Sequence, residues 1–135
     1  MTTTSPLAAS GLVALGGGAG AVLRYQAGRS LTGLLGPAAV ASFPWATLFV
    51  NIAGSLAMGL LAGWLARHGQ GGDTWRLLVG VGLLGGFTTF SAFSLEMMLL
   101  IERGQAGTAF VYAAISVLAG VTALYIGLIA MRLAA

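Results

Sequence analysis

Residues Gly85 to Glu96 read GGFTTFSAFSLE, placing two glycines, two threonines, two serines and three phenylalanines in twelve residues of an otherwise apolar stretch. Adjacent glycines followed by β-branched threonines weaken a helix. Glycine costs about 1 kcal/mol against alanine, and a threonine hydroxyl can divert backbone groups. Two outcomes are open. Either the helix stays continuous with its threonines bonded back to their own carbonyls, or it unwinds. At membrane depth an unwound turn survives only where it is buried in protein or lines a wet cavity, and its freed carbonyls then form a cradle for a small cation. Sodium suits such a cradle, because hard cations take oxygen ligands and no carboxylates cluster here to recruit calcium.

Phe90 and Phe93 lie three apart and share a helix face, which Phe87 joins only if the helix is unbroken. Phenylalanines on an apolar helix usually pack or face lipid. Their other use rests on the ring quadrupole, whose positive rim stabilises an anion without a cationic side chain. Polar residues elsewhere fit that second use. Asn51 carries donors and acceptors about two turns into an apolar segment, where an amide is costly unless paired or wetted. Tyr112 and Ser116 are four apart and put two hydroxyls on one helix face, with Gly120 next in register. Together they outline a narrow track of hydrogen-bond donors. Glu96 is the only acid well inside an apolar segment, and the expected role is structural, paired across helices or with a track hydroxyl.

These residues need elements to hold them. Only 7% of the 135 residues are charged, 58% are hydrophobic and the mean hydropathy is +0.95. A soluble domain of this size lacks the interior to hide so much apolar surface, so lipid must be the solvent for most of it. An all-α membrane protein follows, with four segments near the 20 residues that a bilayer crossing needs. They run from about 7 to 30, 44 to 67, 73 to 103 and 105 to 132, with Gly85 to Glu96 interrupting the third near its middle. Ser42 is the expected N-cap of the second and Asp73 of the third, while Pro44 suits a first helical turn. Gly16 and Gly20, and the stripe Ser55, Gly59 and Gly63, supply small faces for close helix contact.

Composition also excludes functions. The six arginines are scattered singly with no lysine, so phosphate recognition lacks its clustered charge. No cysteine is present, and the lone histidine, His68, sits in a loop with no second ligand nearby. No nucleophile and base pair can be assembled, so an enzyme is not expected. The arginines also bear on orientation. Four crossings place Arg67, Arg76 and Arg132 on one side and Arg24, Arg29 and Arg103 on the other. Because orientation follows a bias between short loops, this balance predicts insertion both ways and an antiparallel homodimer.

GGFTTFSAF, with GGGAGAVLRY from Gly16 to Tyr25 and TLFVNIAGSLAMG from Thr47 to Gly59, resembles the Fluc (CrcB) fluoride channel family. The likeness covers nearly the whole chain in order. It implies a dual-topology homodimer of four-helix subunits in the bacterial inner membrane, with two pores at the interface and one central structural Na⁺. It assigns the Na⁺ to main-chain carbonyls of Gly85 and Thr88, the fluoride pathway to Asn51, Phe90, Phe93, Tyr112 and Ser116, and the electropositive vestibule to Arg24. The implied activity is passive export of fluoride that relieves its toxicity. Two positions depart from the family pattern: Ala92 stands where a threonine is common, and Gly120 where another track hydroxyl is expected. Thr122 or a water is the expected substitute at the second. The competing function is a small four-helix proton-coupled multidrug or guanidinium exporter. Its coupling carboxylate belongs in the first helix, which here has none.

Overall fold

The computed structural model describes residues 5–67 and 72–134. His68 and its loop lie outside them. Regular structure among the described residues is entirely helical. Four stretches are long and apolar enough to cross a membrane: Pro6–Leu35, Trp45–Arg67, Gly72–Glu102 and Ala106–Leu133.

Helix α1 (Pro6–Leu35) starts where the Ser5 side chain accepts from the Ala8 amide at 3.3 Å, with proline at the first helical position. It runs five residues beyond the expected end at Ser30, passing through Gly33, which does not take the left-handed conformation that ends a helix. Gly36 has φ 82° and precedes Pro37, which together stop the helix. Pro37–Ser42 then forms a short helix, α2. Ser42 is therefore not the cap of the second span, and its hydroxyl donates instead to the Ala39 carbonyl at 2.8 Å. Phe43 is extended, as a residue before proline prefers, and α3 spans Trp45–Arg67 with the Pro44 carbonyl accepting from the Leu48 amide.

The third span is composite. It consists of α4 (Gly72–Trp75), a π-helical segment (Arg76–Leu84), α5 (Gly85–Phe87) and α6 (Phe90–Glu102). Asp73 lies inside the first turn rather than at its cap, and pairs with Arg76 at 3.4 Å. Between α5 and α6, Thr88 (φ −81°, ψ 159°) and Thr89 (φ −152°, ψ 122°) have extended backbone. After α6 the chain turns tightly at Gly104, whose φ is 75°, and enters α7 (Ala106–Leu133).

Glycines decide how the spans pair. A Cβ on Gly16 would strike the Leu78 carbonyl, and one on Gly20 the Leu83 carbonyl, so α1 lies backbone to backbone on the π-helical segment. Helices α3 and α7 meet in the same way. Gly59 abuts the Leu124 carbonyl, Gly63 approaches the Leu128 carbonyl, and the Gly120 Cβ position lies 3.5 Å from Ser55 Oγ. These contacts keep one offset of 65 positions (55 to 120, 59 to 124, 63 to 128), so α3 and α7 run parallel in fixed register. The small interior comprises Leu48, Leu100, Ala109 and Tyr112, with Phe43, Ile52, Phe93 and Met97 packed against it. Large apolar residues such as Leu34, Phe110, Val121 and Tyr125 face outward, where lipid replaces water as solvent.

Candidate functional site

Asn51 organises the extended pair. Its side-chain oxygen accepts from the Thr89 amide at 2.8 Å, and its Nδ2 donates to the Thr89 carbonyl at 3.1 Å. The amide thus binds Thr89 as a neighbouring strand would, satisfying both main-chain groups of a non-helical residue in an apolar setting. One Nδ2 proton remains. Gly54 gives Thr88 room, since a Cβ there would collide with the threonine methyl group.

The same bonds free particular carbonyls. In an unbroken helix the Thr89 amide would donate to the Gly85 carbonyl and the Ala92 amide to that of Thr88. Here the first goes to Asn51, and the second goes to the Thr89 hydroxyl at 3.2 Å, a side-chain cap on α6. Gly85 and Thr88 therefore lose their helical partners, and their oxygens suit a hard cation such as sodium. The Thr88 oxygen is not idle, because Arg24 Nη1 donates to it at 3.2 Å. A cation on that oxygen must share it with a guanidinium and bear the Coulombic cost.

That bond also moves Arg24 in the orientation argument. It lies within α1, half-buried and three turns from the helix end, so it is not a loop arginine. The balance becomes Arg67, Arg76 and Arg132 against Arg29 and Arg103, a small bias in place of none. Arg24 still lines a cavity of about 530 Å³ with Arg29, Tyr25, Thr47 and Thr89, so two guanidinium groups border it.

A second cavity, of about 250 Å³, is lined by Asn51, Ser55, Thr88, Thr89 and Phe90. Phe90 is exposed and Phe93 half-buried, with ring centroids 5.7 Å apart. The ring of Phe93 lies 5.0 Å from that of Tyr112. Tyr112 is fully buried, and its hydroxyl donates to Glu96 Oε2 at 2.7 Å while Thr47 donates to Oε1 at 2.6 Å. The Tyr112 proton is thus committed to a carboxylate, and Glu96 is held across helices by two hydroxyls. Ser116 differs. Its oxygen is buried and has no hydrogen-bond partner among the described residues.

Sequence reasoning passed over Thr47, although a signal existed. Thr47, Asn51 and Ser55 recur every four residues, as do Tyr112, Ser116 and Gly120. The common offset sets these stripes level by level: Thr47 with Tyr112, Asn51 with Ser116, Ser55 with Gly120. Thr122 is exposed, and two residues from Gly120 place it on the far side of α7.

Residues 11–128 match the family model described as CrcB-like protein, Camphor Resistance (CrcB). The chain is 61% identical over 126 residues to the fluoride-specific ion channel FluC of Novosphingobium aromaticivorans, covering 93% of this chain and 98% of that protein. It is 56% identical to the FluC of Erythrobacter litoralis, with 98% of each covered, and 48% identical to that of Caulobacter vibrioides, covering 90% and 93%.

Proposed function

Since the chain belongs to the CrcB-like protein family, we propose that it is a fluoride channel, a multi-pass membrane protein that lets fluoride leave the cell passively and so relieves its toxicity. The observation that carries this reading is the likeness to fluoride-specific channels along nearly the whole chain. The two polar stripes supply its physical basis. Fluoride is small and strongly hydrated, so a pore must offer donors at close range in place of water.

In this reading anions gather at Arg24 and Arg29, meet the remaining Nδ2 proton of Asn51 and the rims of Phe90 and Phe93, and reach the Ser116 hydroxyl of α7. Tyr112 closes the α7 stripe at the Glu96 end. No fully charged group grips the ion, which keeps release fast. The single membrane-embedded acid already receives two hydroxyl bonds, so nothing favours a carboxylate-coupled exporter. The subunit pairs with an oppositely inserted copy, which would cover exposed Phe90 and build two pores at the shared face. The Gly85 and Thr88 carbonyls would hold a structural sodium ion there. When bound, the ion supplies a fixed positive charge that settles the freed carbonyl dipoles.

Purified protein in liposomes tests the reading. With a potassium ionophore present, fluoride efflux read by electrode is expected to be at least a hundredfold faster than chloride efflux. Replacing sodium by N-methylglucamine on both sides is expected to slow it several-fold. Chloride loss as rapid as fluoride loss would overturn the selective-pore reading, and indifference to sodium would overturn the cation assignment. For mixed insertion, a single cysteine appended at either terminus is expected to react with impermeant reagent from both faces of the membrane. Labelling from one face alone rules it out.

A further inference from the structure

The two stripes are complete at two levels and defective at the third, where α7 offers Gly120 and no hydroxyl. Ser55 is level with that gap, and its Oγ lies 3.5 Å from where a Gly120 side chain would begin. The hydroxyl is also uncommitted. Ser10, Thr32 and Ser94 each donate to the carbonyl four residues back, whereas among the described residues no such bond occupies Ser55. Moreover, Ser55 lines the same cavity as Asn51, Thr89 and Phe90, one helical turn and about 6 Å along the axis from Asn51. The nearest unpartnered hydroxyl in the stripes, Ser116 Oγ, stands one level away.

We propose that Ser55 is a conducting hydroxyl of the fluoride pathway, supplied by α3 at the level where α7 carries Gly120, so that the donor track crosses from one helix to the other. The assignment rests on the channel reading. A fluoride ion leaving Asn51 and Ser116 would meet apolar wall at the third level without Ser55. With it, the interval between successive donors stays near one helical turn, a short step for a partly dehydrated ion. Glycine opposite the serine then has a purpose of its own, since it leaves the hydroxyl free to rotate toward the ion.

Moving the hydroxyl back to the other helix tests this. In liposomes Ser55→Ala is expected to slow fluoride efflux at least tenfold, Ser55→Thr to stay within about threefold of wild type, and Ser55→Ala with Gly120→Ser to recover to within about threefold. All should elute as wild type in size-exclusion chromatography. The chain has no cysteine of its own, so Ser55→Cys gives a second, nearly isosteric probe whose conduction silver ion should block while wild type is untouched. Wild-type speed in Ser55→Ala, failure of Gly120→Ser to rescue it, or silver-indifferent Ser55→Cys would each overturn the assignment. If wild-type protein passes no fluoride, the channel reading falls and takes this one with it. If wild type conducts and Ser55→Ala matches it, this one falls alone.

Discussion

Asn51→Leu is expected to reduce fluoride efflux more than a hundredfold, a larger effect than any other single change in the pathway. The substitution removes both bonds to Thr89, at 2.8 and 3.1 Å, and leaves a main-chain donor and acceptor unpaired where water is scarce. Each orphaned group costs about 1–3 kcal/mol. The chain can recover part of that by returning the Thr89 amide to the Gly85 carbonyl, which rewinds the extended pair into helix. Rewinding would withdraw the freed oxygens and turn Phe90 and Phe93 relative to α5, since two extended residues set the phase between the helices. Asn51→Asp separates geometry from charge. It still accepts from the Thr89 amide but cannot donate to the carbonyl, and its charge repels the ion, so it too should be silent. Efflux and elution position measured side by side decide the matter. An Asn51→Leu protein conducting at wild-type speed would show that the amide has no part in the path.

The second large effect concerns assembly. Gly59→Leu is expected to leave almost no protein eluting at the native position, and Gly59→Ala to lower the melting temperature sharply. A Cβ on Gly59 falls onto the Leu124 carbonyl oxygen, with the Leu124 carbonyl carbon at 2.9 Å and the Leu128 amide at 3.0 Å. None of these atoms is the end of a flexible side chain, so the helices themselves must part. Overpacking of this kind costs about 1–3 kcal/mol even in forgiving cores, and in lipid no hydrophobic force compensates. Gly18→Ala is the control, because nothing lies within 4 Å of its Cβ position. It should be neutral or slightly stabilising through helix propensity. Equal yields of Gly59→Leu and Gly18→Ala would refute backbone contact between α3 and α7.

The sequence made some of this visible and hid the rest for physical reasons. Four spans were legible because apolar length has a single explanation in a chain with so few charges. Their ends were less so. Gly33 does not stop the first helix, and the doublet Gly36-Pro37 that does was not considered, because a bilayer length was already reached by Ser30. The π-helical course of Arg76–Leu84 was not expected from residue type, although Gly82 within it meets Gly16 of α1 backbone to backbone. Asn51 announced itself as an expensive amide, but its partner is main chain, which sequence does not label. Arg24 read as a loop charge for the same reason: its acceptor is the carbonyl of Thr88, 64 positions away. Thr47 and Ser55 were available from spacing alone, as the flanking members of a polar stripe with a four-residue period; Thr47 was passed over, and Ser55 was read only as part of a small packing face.

The parallel pairing of α3 with α7, and of α1 with the π-helical segment, bears on biogenesis. Each of the first two spans has its backbone-to-backbone partner two crossings later, so its glycine face cannot be covered by the span that follows it directly. The glycine face of α3 stays open to lipid until the last span has been translated, and a nascent chain truncated before residue 106 holds half of a zipper. Premature termination would therefore leave a fragment whose small-residue face is bare to lipid, a mark by which membrane proteases could tell it from the finished chain.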